Sequence, residues 1–433
     1  MFRGNFFLYL ALILFLGQIV SWRLFLRRSR SPRYRFLVHF LFILFNVFWF
    51  IAYYAISAKN GLSGDLWSLV GRPGISWQFI HLLIVLPLSA LAFAAYGIVL
   101  GARRLAKRAR RLQGALPARE DAAEGAATVG AAVTEEKKGP FRDRRHFIRD
   151  LGSAGLLGVM AVSAYGVVRQ SLAPQVRRRS LRLPGLPREL SGFSIAHLTD
   201  NHLGLWSNAR EMSLAVETAA REKPDLVLFT GDLVDRSPDN ALYYGPALER
   251  YLSRVPYGVY GVLGNHDHYA NPDRITQILR RDGLWILRDE RVNIQGIPLS
   301  LTGLDDQGVH MSWARRRAVV DEEGLDILSF DLIQGLAPRA GDFRILLNHR
   351  PEGWRQAASE GYRVYLAGHT HGGQYALPGF PQVNLATMVY KYTSGLYESG
   401  GNYLNVSCGL AAVGVPFRFG AFPEISLLTL ERA

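Results

Sequence analysis

The chain has 433 residues, of which 20% are charged, with a net charge of +14 and a mean hydropathy of +0.05. Its single cysteine, Cys408, excludes an intramolecular disulfide and reads as a small core residue in apolar surroundings. Such a basic chain could bind nucleic acid, but the densest arginine runs, at 23–35 and 103–111, flank apolar stretches, so they suit membrane anchoring and no nucleic acid is expected.

Residues 1–112 read as a membrane region. Three apolar runs, 5–22, 36–57 and 77–100, reach the roughly 20 residues that cross a bilayer as helices. With the arginine-rich loops kept cytoplasmic, the N-terminus lies outside and the third span returns the chain to the cytoplasm. Residues 113–142, rich in Ala, Gly and Glu and without a clean apolar stripe, read as a flexible linker. Then comes Asp143-Arg144-Arg145-His146-Phe147-Ile148-Arg149, followed by a fourth, modestly apolar segment within 143–170. It resembles a twin-arginine export signal, although Asp143 stands where Ser or Thr is usual. The expectation is a multi-pass protein of the cell membrane, in contact with membrane lipids, whose last domain is extracytoplasmic.

From 180 to 433 the pattern becomes that of an α/β domain. Helix candidates at 208–222, 241–253 and 273–282 alternate with apolar strand candidates at 193–198, 226–229, 259–263, 343–347 and 362–366. Each strand candidate runs out into a polar block: Asp200-Asn201-His202, Gly231-Asp232-Leu233-Val234-Asp235, Gly264-Asn265-His266-Asp267, Asn348-His349-Arg350-Pro351 and Gly368-His369-Thr370-His371. Carboxylate, imidazole and amide oxygen therefore converge on one sheet edge with no thiolate, a composition that suits divalent Mn, Fe, Zn or Co. In Asp200-x-His202 and His369-x-His371, side chains two residues apart on an extended backbone would share a face. Asp232, with two oxygens, is the natural bridge between two ions. Asn265 offers an amide oxygen, and the adjacent His266 should face away from the ion it serves. That leaves His266 free to act on substrate, with Asp267 able to orient or charge its ring.

In this order the five blocks resemble the calcineurin-like metallophosphoesterase superfamily over roughly 190–433, and the wording around Ala367-Gly368-His369-Thr370-His371-Gly372-Gly373-Gln374 and Pro423-Glu424-Ile425 is similar to its membrane-associated or exported bacterial branch. The resemblance implies an α/β fold, a four-layer αββα sandwich, here preceded by the α-helical membrane region. It further implies two divalent metal ions, the first held by Asp200, His202, Asp232 and His371, the second by Asp232, Asn265, His349 and His369. His266 would be the acid that protonates the leaving group or steadies the phosphoryl oxygens. Arg350 and Arg418 are each open to two readings, a grip on substrate phosphate or a structural role; Asp235 reads as support for its loop or for the residues behind the metal ligands, and His268 as a weak catalytic candidate.

The expected function is hydrolysis of phosphoesters, lipid-linked or otherwise of the cell envelope, at the outer face of the membrane. Two alternatives stand beside it: a nucleotide or cyclic-nucleotide phosphodiesterase, and a non-enzymatic membrane sensor or scaffold that keeps the metal site for ligand binding.

Overall fold

The computed structural model describes residues 173–204, 207–306, 341–377, 380–414 and 418–433, with a few isolated positions between 32 and 165. The membrane runs, the linker and the export-like segment lie outside these residues apart from the isolated positions. Among the described residues, no helix is long and apolar enough to cross a membrane.

The strands are β1 (Gln175–Leu183), β2 (Ser194–Leu198), β3 (Leu226–Thr230), β4 (Val259–Val262), β5 (Trp285–Ile286), β6 (Glu290–Asn293), β7 (Leu299–Gly303), β8 (Phe343–Leu347), β9 (Val364–Ala367), β10 (Ala376–Leu377), β11 (Phe380–Asn384), β12 (Gly395–Ser399), β13 (Asn402–Val406) and β14 (Glu424–Arg432). The helices are α1 (Ala209–Arg221), α2 (Tyr244–Ala247), α3 (Asn265–Ala270), α4 (Pro272–Arg281) and α5 (Trp354–Ser359). One six-stranded sheet runs β1-β14-β2-β3-β4-β5 and a second runs β12-β13-β9-β8-β7-β6. Within them β2 to β5 are parallel, as are β7, β8, β9 and β13. Because β1 begins at Gln175 and pairs with β14, a domain boundary at 180 would cut through an edge strand.

The two sheets face each other. Leu181, Ile195, Leu228 and Leu428 of the first share a buried core with Leu301, Ile345, Leu347, Val364 and Leu366 of the second. The outer face of the first sheet, through Ala196, Leu198, Val227 and Phe229, packs on Met212, Val216 and Ala219 of α1 and on Ile275, Ile278 and Leu279 of α4. The outer face of the second carries Leu346, Tyr365 and Leu404 against Trp354 and Ala357 of α5. The layers thus run helix, sheet, sheet, helix. Each large apolar side chain taken out of water in these layers stabilises the fold by roughly 1.5–3 kcal/mol.

Local sequence explains α1 and α4. Asn208 Oδ1 accepts from the Glu211 amide at 2.9 Å while Glu211 Oε2 accepts from the Asn208 amide at 3.3 Å, a reciprocal cap, and Met212, Ala215, Val216 and Ala219 form the buried stripe. At α4, Pro272 opens the helix and Asn271 Oδ1 accepts from the Arg274 amide at 3.1 Å. The helix expected over 241–253 is broken instead into a 3-10 turn at Pro238–Tyr243, the single helical turn α2 and a π turn at Leu248–Leu252. Pro246 accounts for it, since proline lacks the amide proton that a continuous helix would use and its ring crowds the preceding turn.

Candidate metal centre

The site lies at the carboxyl ends of the parallel strands, the edge where open α/β sheets present their ligands. Asp200 and His202 follow β2, Asp232 follows β3, Asn265 follows β4, His349 follows β8, and His369 and His371 follow β9. The two sheets are tied together there: His349 Nδ1 meets the Thr230 carbonyl at 2.8 Å, and the His369 amide reaches both Asp200 carboxylate oxygens at 3.2 Å.

Shared facing on an extended backbone is not what makes the paired residues converge. Asp200, His202, Asp232, His369 and His371 all have left-handed backbones, with φ between 45° and 67°. Non-glycine residues rarely adopt this region, and such strain persists where the surrounding structure over-determines it. Gly231 allows the neighbouring turn: its φ is +88°, and a Cβ there would come within 2.6 Å of the Gly264 nitrogen and 2.8 Å of His349 Nδ1.

Three clusters of ligand-type side chains result. Asp200, His202, Asp232 and His371 form one; Asp232, His349 and His369 form the second; and His202, Asp235 and His266 form a third beside the first, the ligand atoms of each lying within 4.8 Å of one another. Asp232 belongs to the first two. Its Oδ2 stands 3.4 Å from His202 Nε2 and 3.2 Å from His349 Nε2, whereas Oδ1 accepts from the His266 amide at 2.8 Å. A single oxygen, rather than one on each side, therefore faces both clusters. Asn265 is placed beside the second cluster by Arg350, whose Nη2 is 3.3 Å from Asn265 Oδ1 and whose Nη1 is 2.7 Å from His369 Nε2.

The donor chemistry fits two cations. His371 Nδ1 faces the Ala411 carbonyl at 3.0 Å and His349 Nδ1 faces the Thr230 carbonyl, so these outer nitrogens donate and the inner Nε2 lone pairs face the carboxylates. The inner atoms also face each other, His202 Nε2 and His371 Nε2 at 3.2 Å and His349 Nε2 and His369 Nδ1 at 3.1 Å. Lone pairs and carboxylate oxygens so arranged repel unless a proton or a metal ion lies between them. Burial opposes charge on every ring, yet Asp235 and Asp232 raise the His202 pKa to about 9, and Asp232 raises that of His349 to about 10. Burial wins at His369 and His371, which are pushed well down. Burial would likewise raise Asp232, but His349 and His202 hold its carboxyl well below the usual range. Protons on His202 and His349 thus occupy the positions of charge that metal would take, and loading would release them.

His266 is 27% exposed, and its Nδ1 lies 2.5 Å from Asp235 Oδ1. The other oxygen of Asp235 lies 3.2 Å from His202 Nδ1, so one buried carboxylate orients a ring in the first cluster and the ring beside it. This corrects the expectation for Asp267. Its carboxylate does not reach His266; it accepts the amides of Leu233, Val234 and Gly264 at 2.9–3.1 Å and clamps the loop after β3 to the start of α3. The spacing Gly231-Asp232-x-x-Asp235 contains the signal for Asp235, but chain neighbourhood favours Asp267.

The two arginines separate. Arg418 is fully buried, with its guanidinium bonded to the carbonyls of Cys408, Ala421 and Ala411 and 3.1 Å from His371 Nδ1, so it braces the first cluster. Arg350 is held by Asp306 at 3.0 Å beside His369 and Asn265. His268 is spent on Asp305, at 2.8 Å, tying α3 to the end of β7.

The family model for calcineurin-like phosphoesterases matches residues 193–373. An uncharacterized metallophosphoesterase of Helicobacter pylori is 30% identical over 305 residues, covering 70% of this chain and 76% of its own. The uncharacterized metallophosphoesterase YkuE of Bacillus subtilis is 27% identical over 300 residues, 66% of this chain and 97% of that one. A transmembrane protein with metallophosphoesterase domain from Bos taurus is 28% identical over 300 residues, 66% of this chain and 64% of that one. The chain belongs to the calcineurin-like phosphoesterases and is a metal-dependent phosphoesterase.

Proposed function

We propose that this protein is a two-metal phosphoester hydrolase held at the outer face of the cytoplasmic membrane and acting on lipid-linked or other envelope phosphoesters. In this reading Asp200, His202, Asp232 and His371 hold one ion, and Asp232, Asn265, His349 and His369 hold the other. The observation that carries the metal assignment is Asp232, whose Oδ2 lies within 3.4 Å of the inner nitrogens of both His202 and His349. Bound there, two divalent cations would lower the pKa of a water between them and offset the charge on the phosphoryl oxygens.

The chain's own groups do the rest. Asp235 fixes the His266 ring through Nδ1, which leaves Nε2 as the nitrogen that can serve substrate. As water adds to phosphorus and the bond to the departing oxygen breaks, Nε2 gives that oxygen its proton. Asp267, by locking the β3 loop to α3, keeps Asp232 and the His266 backbone in register.

The membrane setting is supported by the three apolar runs with arginine-rich loops and by the membrane relative from Bos taurus. Chelation should abolish turnover of a soluble phosphoester and Mn should restore it. Asp232→Asn should lose both ions together with activity. A chelated, metal-free protein with full turnover, or a fully metallated Asp232→Asn protein with a near-normal rate, would refute the assignment.

A further inference from the structure

Outside the two large sheets, β10 and β11 pair as a small antiparallel hairpin, and a 3-10 turn at Leu385–Met388 follows it directly. This short segment exposes an unusual share of apolar surface. Leu377 is 52% exposed, Phe380 61%, Val383 60%, Leu385 57%, Met388 84% and Val389 77%. Exposed apolar side chains gathered in one short segment are the kind of surface that marks an interaction site.

The segment is also firmly based. The Ala376 amide donates to the Phe419 carbonyl at 2.8 Å, and the buried Asn384 side chain donates to Thr393 Oγ1 at 2.9 Å. It joins the metal centre directly: Tyr390, the next residue after Val389, has its hydroxyl 3.1 Å from His369 Nε2. The exposed apolar side chains of this segment therefore lead along the chain directly to the site's rim at Tyr390.

We propose that the exposed side chains of Leu377, Phe380, Val383, Leu385, Met388 and Val389 dock into the headgroup and upper acyl region of a phospholipid bilayer, and so offer the rim at Tyr390 to a phosphoester carried by a membrane lipid. The proposal rests on the membrane-anchored reading above and adds to it a docking surface. Charge decides the partner. From Leu377 to Thr393 the sequence contains one charged side chain, the exposed Lys391, and no carboxylate. Apolar side chains backed by a cation and by Tyr390 match a hydrocarbon edge beneath phosphate headgroups. The apolar runs at 5–22, 36–57 and 77–100 would keep a bilayer within reach of this same chain.

The test uses the full chain in nanodiscs of mixed phosphatidylcholine and phosphatidylglycerol. Met388→Cys and, separately, Val389→Cys would carry an environment-sensitive fluorophore, with Arg221→Cys as the control. The one native thiol, Cys408, is only 3% exposed and should not label. Arg221, with a side chain 73% exposed, ends α1 at the opposite edge of the first sheet from the site. Doxyl-labelled lipid should quench and blue-shift the probes at 388 and 389 and leave that at 221 unchanged. Probes at 388 and 389 open to aqueous iodide and indifferent to doxyl lipid would overturn the proposal, as would probes shielded from both, which would mean that protein covers the tip. Turnover of a soluble aryl phosphoester by each labelled protein reports that it is folded.

A second arm replaces Met388 and Val389 together by Glu. Hydrolysis of a phosphoester on a bilayer lipid should fall by about tenfold or more, with the soluble ester unaffected. Equal rates on both substrates before and after the change would overturn the docking role. Wild-type protein that shows lipid quenching but no metal-dependent turnover of any ester would leave docking in place and count against the hydrolase reading alone.

Discussion

Replacing Asp235 by Asn tests whether this carboxylate, rather than its neighbour Asp267, orients the acid. The side chain keeps its size, so the loop need not move, but the charge seen by two rings disappears. Burial alone would raise the Asp235 carboxyl; the charge on His202, 3.2 Å away, and the hydrogen bond from His266 override it and hold the pKa at about 2. Measured against the ordinary 3.8, that is a net favourable interaction of roughly 2–3 kcal/mol, or about sixtyfold in an equilibrium constant. Losses of about 10–100-fold are usual when a carboxylate behind a ligating histidine is removed. The variant should therefore bind metal at the first cluster on the order of 10–100-fold more weakly. With metal saturating, it should still turn over alkyl phosphoesters, whose leaving oxygen needs a proton, more slowly, and aryl esters with acidic leaving groups nearly as well. Metal titration followed by paired kcat values on an alkyl and a nitrophenyl ester reads both effects. The same comparison on His266→Ala should give the larger leaving-group dependence, on the order of a hundredfold or more for the poor leaving group. Unchanged metal affinity together with equal losses on both esters in Asp235→Asn would refute the reasoning.

His197 supplies a pH test remote from the metal ligands. Burial first, and then Arg179, depress its pKa to about 3, and it links Asn405, at 2.9 Å, to Thr230, at 2.7 Å, whose carbonyl holds His349. The unfolded chain binds a proton near pH 6.5 that the folded ring refuses, so this residue's contribution to stability declines as pH falls from about 6.5 towards about 3, by at most about 1.4 kcal/mol per pH unit. In urea unfolding of residues 173–433, the difference between wild type and His197→Gln should shrink across that window; parallel curves would contradict the assignment. For topology, Arg144→Lys with Arg145→Lys should block export of the catalytic domain, so that protease added to spheroplasts digests the wild-type domain and spares the variant; a protected wild-type domain would place the site on the cytoplasmic side.

The sequence by itself determined five of the fourteen described strands, β2, β3, β4, β8 and β9, the order of the polar blocks that end them and the helices α1 and α4. Apolar periodicity, caps such as Asn208 with Glu211, and the glycines before Asp232 and His369 act over a few residues, so the chain states them locally. It also specified which residues could meet a metal, because a carboxylate or imidazole placed after a buried strand has little other use in such numbers. Tertiary structure alone decided how they meet. Asp235 reaches His266 across 31 residues of chain and Asp267, next door, turns to backbone amides instead, a choice made by where two loops cross. Only the packing of one sheet edge on the other drives Asp200, His202, Asp232, His369 and His371 into the left-handed region, sets one oxygen of Asp232 between the clusters and seals Arg418 behind His371. Likewise, nothing in the local pattern of 377–389 distinguishes a buried hairpin from an exposed one. That depends on whether another layer covers it, and among the described residues none does.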